Sequence, residues 1–223
     1  MKKTTILLLA GLLVQACVSS EELTKIVKPN EINRLGYFTP ISQIGIVEKG
    51  NQAIKSEYGS QRSIEVLDSL IITKKRTYNI YNSLTPSDSI IQIKLNEEIR
   101  NLTVQASTKQ RVHNIDLSHT IDSVMEAHNE RFALAFITTG FTRVKGNYKG
   151  QVAKGIGVGL LTLGMYVPTP IKASSGIHAV IFDSKNNTVA LYKSSQVAEK
   201  EPTDPNIVTR QLNYVLNNLL KSK

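Results

Sequence analysis

One cysteine, Cys17, is all that 223 residues provide. Internal disulfides are therefore excluded, and stability has to come from packing. No His-x-x-x-His pair occurs among His113, His119, His128 and His178. His119 and His128 are nine residues apart, which on a continuous helix places them about 180° from each other. No Gly-x-Ser-x-Gly elbow exists either, because Ser174-Ser175-Gly176 lacks the first glycine. The formal charge is +9, yet the densest basic run, Lys74-Lys75-Arg76, is three residues long. Such scattering argues against nucleic acid as a partner and for a solvated face or loose attraction to anionic lipid head groups. The sequence implies no catalytic residue set, no metal and no cofactor.

What is present begins at the amino terminus. Met1-Lys2-Lys3 is followed by an apolar run from Ile6 to Val14 and then by Gln15-Ala16-Cys17. A basic start, an apolar stretch too short to span a bilayer and a small residue before a cut site form a secretion signal. Cleavage between Ala16 and Cys17 would remove Lys2 and Lys3 and lower the charge to +7.

The stretch Leu13-Val14-Gln15-Ala16-Cys17 resembles the lipobox of bacterial lipoproteins. That resemblance implies lipidation of Cys17 by diacylglycerol and acyl chains such as palmitate, and anchoring to a membrane. Several chains on one cysteine hold firmly, because each buried CH₂ contributes about 0.8 kcal/mol. Val18-Ser19-Ser20-Glu21-Glu22 fits either a sorting signal towards the outer surface or a solvated tether. The expected division is a signal peptide over 1–16, a lipidated amino terminus and flexible tether over 17–34 containing Pro29, Asn30 and Asn33, and one domain over 35–223.

Periodicity predicts an α/β (or α+β) domain with a single small sheet packed by helices. Ile41 to Val47 reads as a strand interrupted by Gly45. Ile64, Leu67, Leu70 and Ile71 form a helical stripe. Thr85 as cap with Pro86 at the first position would open a helix through Ile90, Ile93, Leu95, Ile99 and Val104, although the spacing also admits a helix followed by a strand. Asp116 and Asp122 bracket a further helix start. Phe132 to Thr139 is a buried strand closed by Gly140. A hairpin of Ile177–Phe182 and Thr188–Tyr192 turns through Asp183 and its neighbours. Asp204-Pro205 opens a terminal amphipathic helix with Ile207, Val208, Leu212, Val215, Leu216, Leu219 and Leu220 on its stripe.

From about residue 130 to 221 this order of elements resembles the small α/β sandwich of periplasmic accessory lipoproteins, of the curli-secretion lipoprotein and TolB amino-terminal domain type. The resemblance implies an α/β sandwich and no particular activity.

A glycine-rich insertion interrupts the last third. Gly155, Gly157, Gly159 and Gly164 invite a dinucleotide reading, with Asp183 at the ribose, but no convincing strand precedes them. Gly155 to Ile171 is also a charge-free run bracketed by Lys154 and Lys172. Its Gly155, Gly157, Gly159, Leu160, Leu161, Leu163, Gly164, Met165 and Tyr166 are candidate contacts to a membrane or partner. Pro168 and Pro170 oppose a spanning helix, and the apolar/polar alternation of a barrel wall is absent.

Three functions follow. The leading expectation is a lipid-anchored envelope protein, in the outer membrane, with a non-enzymatic binding or assembly role towards an envelope protein partner. A second is an oligomeric membrane-inserted secretion or pore component, with residues 144 to 176 entering the bilayer. A third is a glycan hydrolase using carboxylates such as Asp183, Glu199 and Glu201.

Overall fold

The computed structural model describes residues 26–109, 112, 114–152 and 170–220. Ala16, Cys17, His113 and the run from Gly155 to Tyr166 lie outside the described residues. The elements in order are β1 (Leu35–Tyr37), β2 (Ile41–Val47), β3 (Ile54–Lys55), α1 (Glu57–Lys74), β4 (Ile80–Ser83), α2 (Ser89–Lys109), α3 (His119–Ala127), β5 (Phe132–Arg143), β6 (Ser174–Asp183), β7 (Thr188–Ala198) and α4 (Pro205–Leu220).

β5 is the spine of one mixed, seven-stranded sheet. β1 and β2 both run parallel to it along the same edge, β1 beside Ala133 and Leu134 and β2 beside Ile137 to Arg143. The two are one interrupted line, broken where Pro40 has no N–H to give a ladder. β4 adds in parallel outside β1, and β3 adds antiparallel outside β2. On the other side β6 and β7 follow as long antiparallel strands. The first residues of β7 are sealed at the edge: Val189 N donates to Ile115 O (2.9 Å), Leu117 N to Asn187 O (3.1 Å) and Ile26 N to Ala190 O (2.9 Å).

Both sheet faces are covered, which is why Phe132 to Ile137 reads as an unbroken apolar run instead of an alternation. Phe132, Leu134 and Phe136 pack with Val66, Leu67 and Ile71 of α1 and Leu212, Val215 and Leu216 of α4. Ala133, Ala135 and Ile137 face Leu95, Ile99 and Leu102 of α2 and Ile121 and Met125 of α3. Helix α1 is also fixed by polar contacts: Ser56 caps it by accepting from Gly59 N, Ser60 Oγ accepts from Ile44 N (3.0 Å), and Ser63 and Thr138 share a buried hydroxyl contact of 2.8 Å. In α4 the buried Gln211 donates to the carbonyls of Ser175 and Ser195, each at 3.0 Å, and accepts from Ser175 Oγ.

Several sequence expectations shift. The 85–104 region is one helix, and it starts at Ser89, not beside Thr85. Asp88 Oδ1 accepts from Ile90 N (2.7 Å) and takes the capping role, while Thr85 bonds Thr39 and Ser83. Ser118 caps α3 through Ile121 N, and neither Asp116 nor Asp122 does so. Gly140 does not close β5, which runs three residues further. The tether ends earlier than residue 34, because Val27 and Ile32 are buried in the core around a short 3-10 turn at Pro29–Glu31.

Candidate functional site

The candidate contacts between Gly155 and Tyr166 lie outside the described residues, but both ends of that insertion are visible at the tip of the β5–β6 hairpin. Arg143, the last residue of β5, donates to Ile171 O (2.6 Å), Gly50 O (2.9 Å), Asn147 Oδ1 (2.8 Å) and Asn51 Oδ1 (2.9 Å). One guanidinium thus joins the β2–β3 turn, the chain leaving β5 and the chain returning to β6. Its five donors in a fixed fork suit a junction of this kind. Asn147 Nδ2 adds a bond to Glu48 O, and Glu199 Oε1 accepts from Lys172 N at 3.1 Å.

Two of the carboxylates singled out in the sequence, Asp183 and Glu199, are far apart. Asp183 is fully buried at one end of β6, accepting two bonds from Arg131 (3.0 and 2.9 Å) and others from Lys185 N and Asn186 Nδ2. That pairing raises the Arg131 pKa, chiefly through the side-chain hydrogen bond to Asp183. Glu199 follows Ala198, which pairs with Ser174 at the other end of the same strand pair. At about 3.3 Å per residue the two acids stand roughly 30 Å apart, far beyond the roughly 5–9.5 Å of glycosidase pairs. Asp183 and Glu199 therefore cannot share a glycosidic bond.

Glu130 was not singled out by the sequence, yet it is buried and accepts from Arg34 Nε (3.0 Å) and Asn82 Nδ2 (2.7 Å), tying the amino-terminal segment and β4 to the start of β5. Glu98 accepts from Ser118 Oγ (2.5 Å) and Thr120 Oγ1 (3.0 Å), joining α2 to the cap of α3. No cluster of three or more potential metal ligands occurs among the described residues, and none of the described helices is long and apolar enough to cross a membrane.

The histidines separate into two places. His119 Nδ1 contacts Ser123 Oγ (2.7 Å) and His128 Nδ1 contacts Val124 O (2.9 Å). Both border one recess of about 610 Å³ between α2 and α3, with Pro86, Asp88, Ile91 and Lys94 on the opposite wall. The 180° separation expected for a continuous helix does not apply, because α3 ends at Ala127 and His128 is its C-cap. His178 sits on β6, contacts Tyr192 Oη through Nδ1 (2.9 Å), and has its pKa lowered by burial.

Beside the recess, α2 carries apolar side chains that nothing among the described residues covers. Ile90 is 76% exposed and Ile93 68%, and Ile91 at 41% leads into the recess. Ile90 and Ile93 are three residues apart and share one helix face. Isolated exposed apolar residues are ordinary on protein surfaces; three within four positions, next to a concavity, form a patch of the kind that marks contact sites.

The fold defines an α/β sandwich in which helices cover both faces of one mixed sheet. No protein-family model and no curated protein matches the chain. Among solved structures it is similar to a PelC dodecamer from Paraburkholderia phytofirmans, at 8% identity over 86% of this chain and 89% of that one with a TM-score of 0.39. It is also similar to protein XCC0632 from Xanthomonas campestris (10% identity, 88% and 84% covered, TM-score 0.36) and to lipoprotein GNA1162 from Neisseria meningitidis (8% identity, 84% and 99% covered, TM-score 0.34). Likenesses this distant carry no argument about activity or partners.

Proposed function

We propose that this chain is a lipid-anchored protein of the bacterial cell envelope, held in the outer membrane through Cys17, with a non-enzymatic binding or assembly role. The observation that carries the binding role is the recess between α2 and α3 with Ile90, Ile91 and Ile93 at its rim. Polar walls give orientation to a partner and the isoleucines supply apolar area to bury, a combination suited to a protein contact. The anchor rests on the sequence of the first 17 residues.

A photo-crosslinking amino acid placed at Ile90 in living cells tests this, with Ile72 on α1, also exposed, as the control position. The expected result is a discrete higher-mass adduct from position 90 only, lost when Ile93→Asp is added. Identical patterns from both positions, or none from either, would remove the proposal.

A further inference from the structure

A second concavity, independent of that recess, lies between the carboxyl-terminal half of α2 and the middle of the sheet. It measures about 140 Å³ and is lined by Gln43, Arg100, Ser107, Thr108, Thr139 and His178, with short apolar stretches between them. Three observations point to a ligand. The first is Arg100: its Nε is buried with no hydrogen-bond partner, and no ion pair involves it among the described residues. The side chain as a whole is half-buried, so this one N–H is the donor that has left water without gaining an acceptor, and such an uncompensated donor is costly.

The second is that the surrounding polar side chains are also unspent. Half-buried Ser107 and Thr139 make no side-chain hydrogen bond among the described residues, while Gln43 and Thr108 stand exposed at the rim; Thr103, one turn from Arg100 on the same helix, donates back to Ile99 O (2.8 Å). The third is the sheet surface itself. Where neighbouring rows bury large apolar residues, the row through Gln43 and Thr139 continues into Gly176, and a Cβ there would stand 2.6 Å from Thr139 Oγ1. A side chain at this point would displace the Thr139 hydroxyl, which lines the hollow; glycine leaves it in place.

From this arrangement we infer that the hollow is a binding site for a carboxylate, with Arg100 as the charged partner and Thr139, Thr108 and His178 as neutral hydrogen-bonding groups around it. A planar guanidinium meets a carboxylate with two parallel bonds. Among the described residues, Arg100 and His178 are the only titratable groups in the lining, and burial lowers the pKa of His178, which favours its uncharged form. One fixed positive charge balances a monoanion and leaves a phosphate dianion half compensated. The volume corresponds to about four or five water molecules at roughly 30 Å³ each. That admits a carboxylate on a short stem, and the exposed rim at Gln43 and Thr108 leaves the rest of a larger molecule outside the hollow. A free short-chain acid and the carboxyl terminus of a peptide share this chemistry.

The test uses the full-length chain in detergent, with the Arg100 Nε–Hε and His178 ring signals followed by NMR. The additions are propionate, N-acetyl-alanine, N-acetyl-alanine amide and inorganic phosphate, at constant ionic strength. Saturable shifts with propionate or N-acetyl-alanine are expected, with at least tenfold weaker responses to the amide and to phosphate. A preference for N-acetyl-alanine over propionate identifies a peptide terminus; equal affinity identifies the free acid. Arg100→Gln should abolish the response, and Thr139→Val, which keeps volume, should weaken it several-fold while thermal midpoints stay close to the parent. Absence of saturation with both carboxylates, or equal responses to phosphate and the amide, overturns the proposal.

Discussion

At the scale of single residues, the decisive positions are buried polar groups whose partners come from distant parts of the chain. Asp183 accepts from Arg131, Lys185 N and Asn186, and it is fully enclosed, whereas the Arg131 side chain is 39% exposed. The two members of the pair are thus unequal. Asp183→Ala strands donors inside the protein and should cost about 2–4 kcal/mol. Arg131→Ala, whose partner keeps other donors, should cost about half as much; urea denaturation of both variants measures the difference. His178 gives a pH signature. Burial lowers its folded pKa, so below about 6.5 the unfolded chain takes up a proton that the folded chain refuses. Stability from this group is present above that value and is lost as pH falls through the window beneath it, at no more than about 1.4 kcal/mol per pH unit. His178→Gln should flatten this part of the stability profile; an unchanged slope would show that His178 is solvated in the folded state.

At the scale of elements, the long members of the fold were legible and the short ones were not. β2 occupies Ile41–Val47, the run that β-branched residues marked, and the stripe of α4 is buried as its spacing required. β1, β3 and β4 leave no mark in the sequence, since strands of two to four residues are too short to show a period. The apolar alternation of the hairpin strands stops short of their polar end. Ser174, Ser175 and Ser194 to Gln196 belong to them, but their sheet faces are lined by Gln211 of α4 and by the hollow beside α2, and polar partners of that sort leave no apolar alternation. In the sequence Gly140 reads as a stop, because glycine weakens strands and often marks their bends. Here its φ of 144° lies in a region other residues rarely adopt, and a Cβ would meet Ser174 O at 2.1 Å. Gly140→Ala should therefore cost about 3 kcal/mol or more, with the loss concentrated in protection of β5 and β6 amides in hydrogen exchange. The recess beside α2 could not be read in advance, because Ile90 and Ile93 fit a buried stripe as well as an exposed one until the sheet shows which face it covers.

At the scale of the whole molecule, two exits lie at opposite ends of the sheet. The amino-terminal segment joins at Ala190 of β7, and the insertion leaves beyond Arg143, near Ala198. Eight residues of strand separate them, about 26 Å at 3.3 Å per residue. From Cys17 to Ile26 the chain can reach at most about 30 Å, so an acylated Cys17 would keep the domain close to its membrane. Under the proposed anchoring, Cys17→Ser should move the protein from the membrane fraction to the soluble one without altering its thermal midpoint. Retention of that variant through a carbonate wash would contradict the lipid anchor.

The junction at Arg143 has one more consequence. It fixes the two ends of the insertion to each other and to the β2–β3 turn, so the entropy of closing that loop is set mainly by the clamp. Lengthening a flexible loop costs only about 0.6 kcal/mol for each doubling. The hairpin tip therefore behaves as an insertion port, where segments of quite different length and composition can be exchanged while the sandwich beneath keeps its stability.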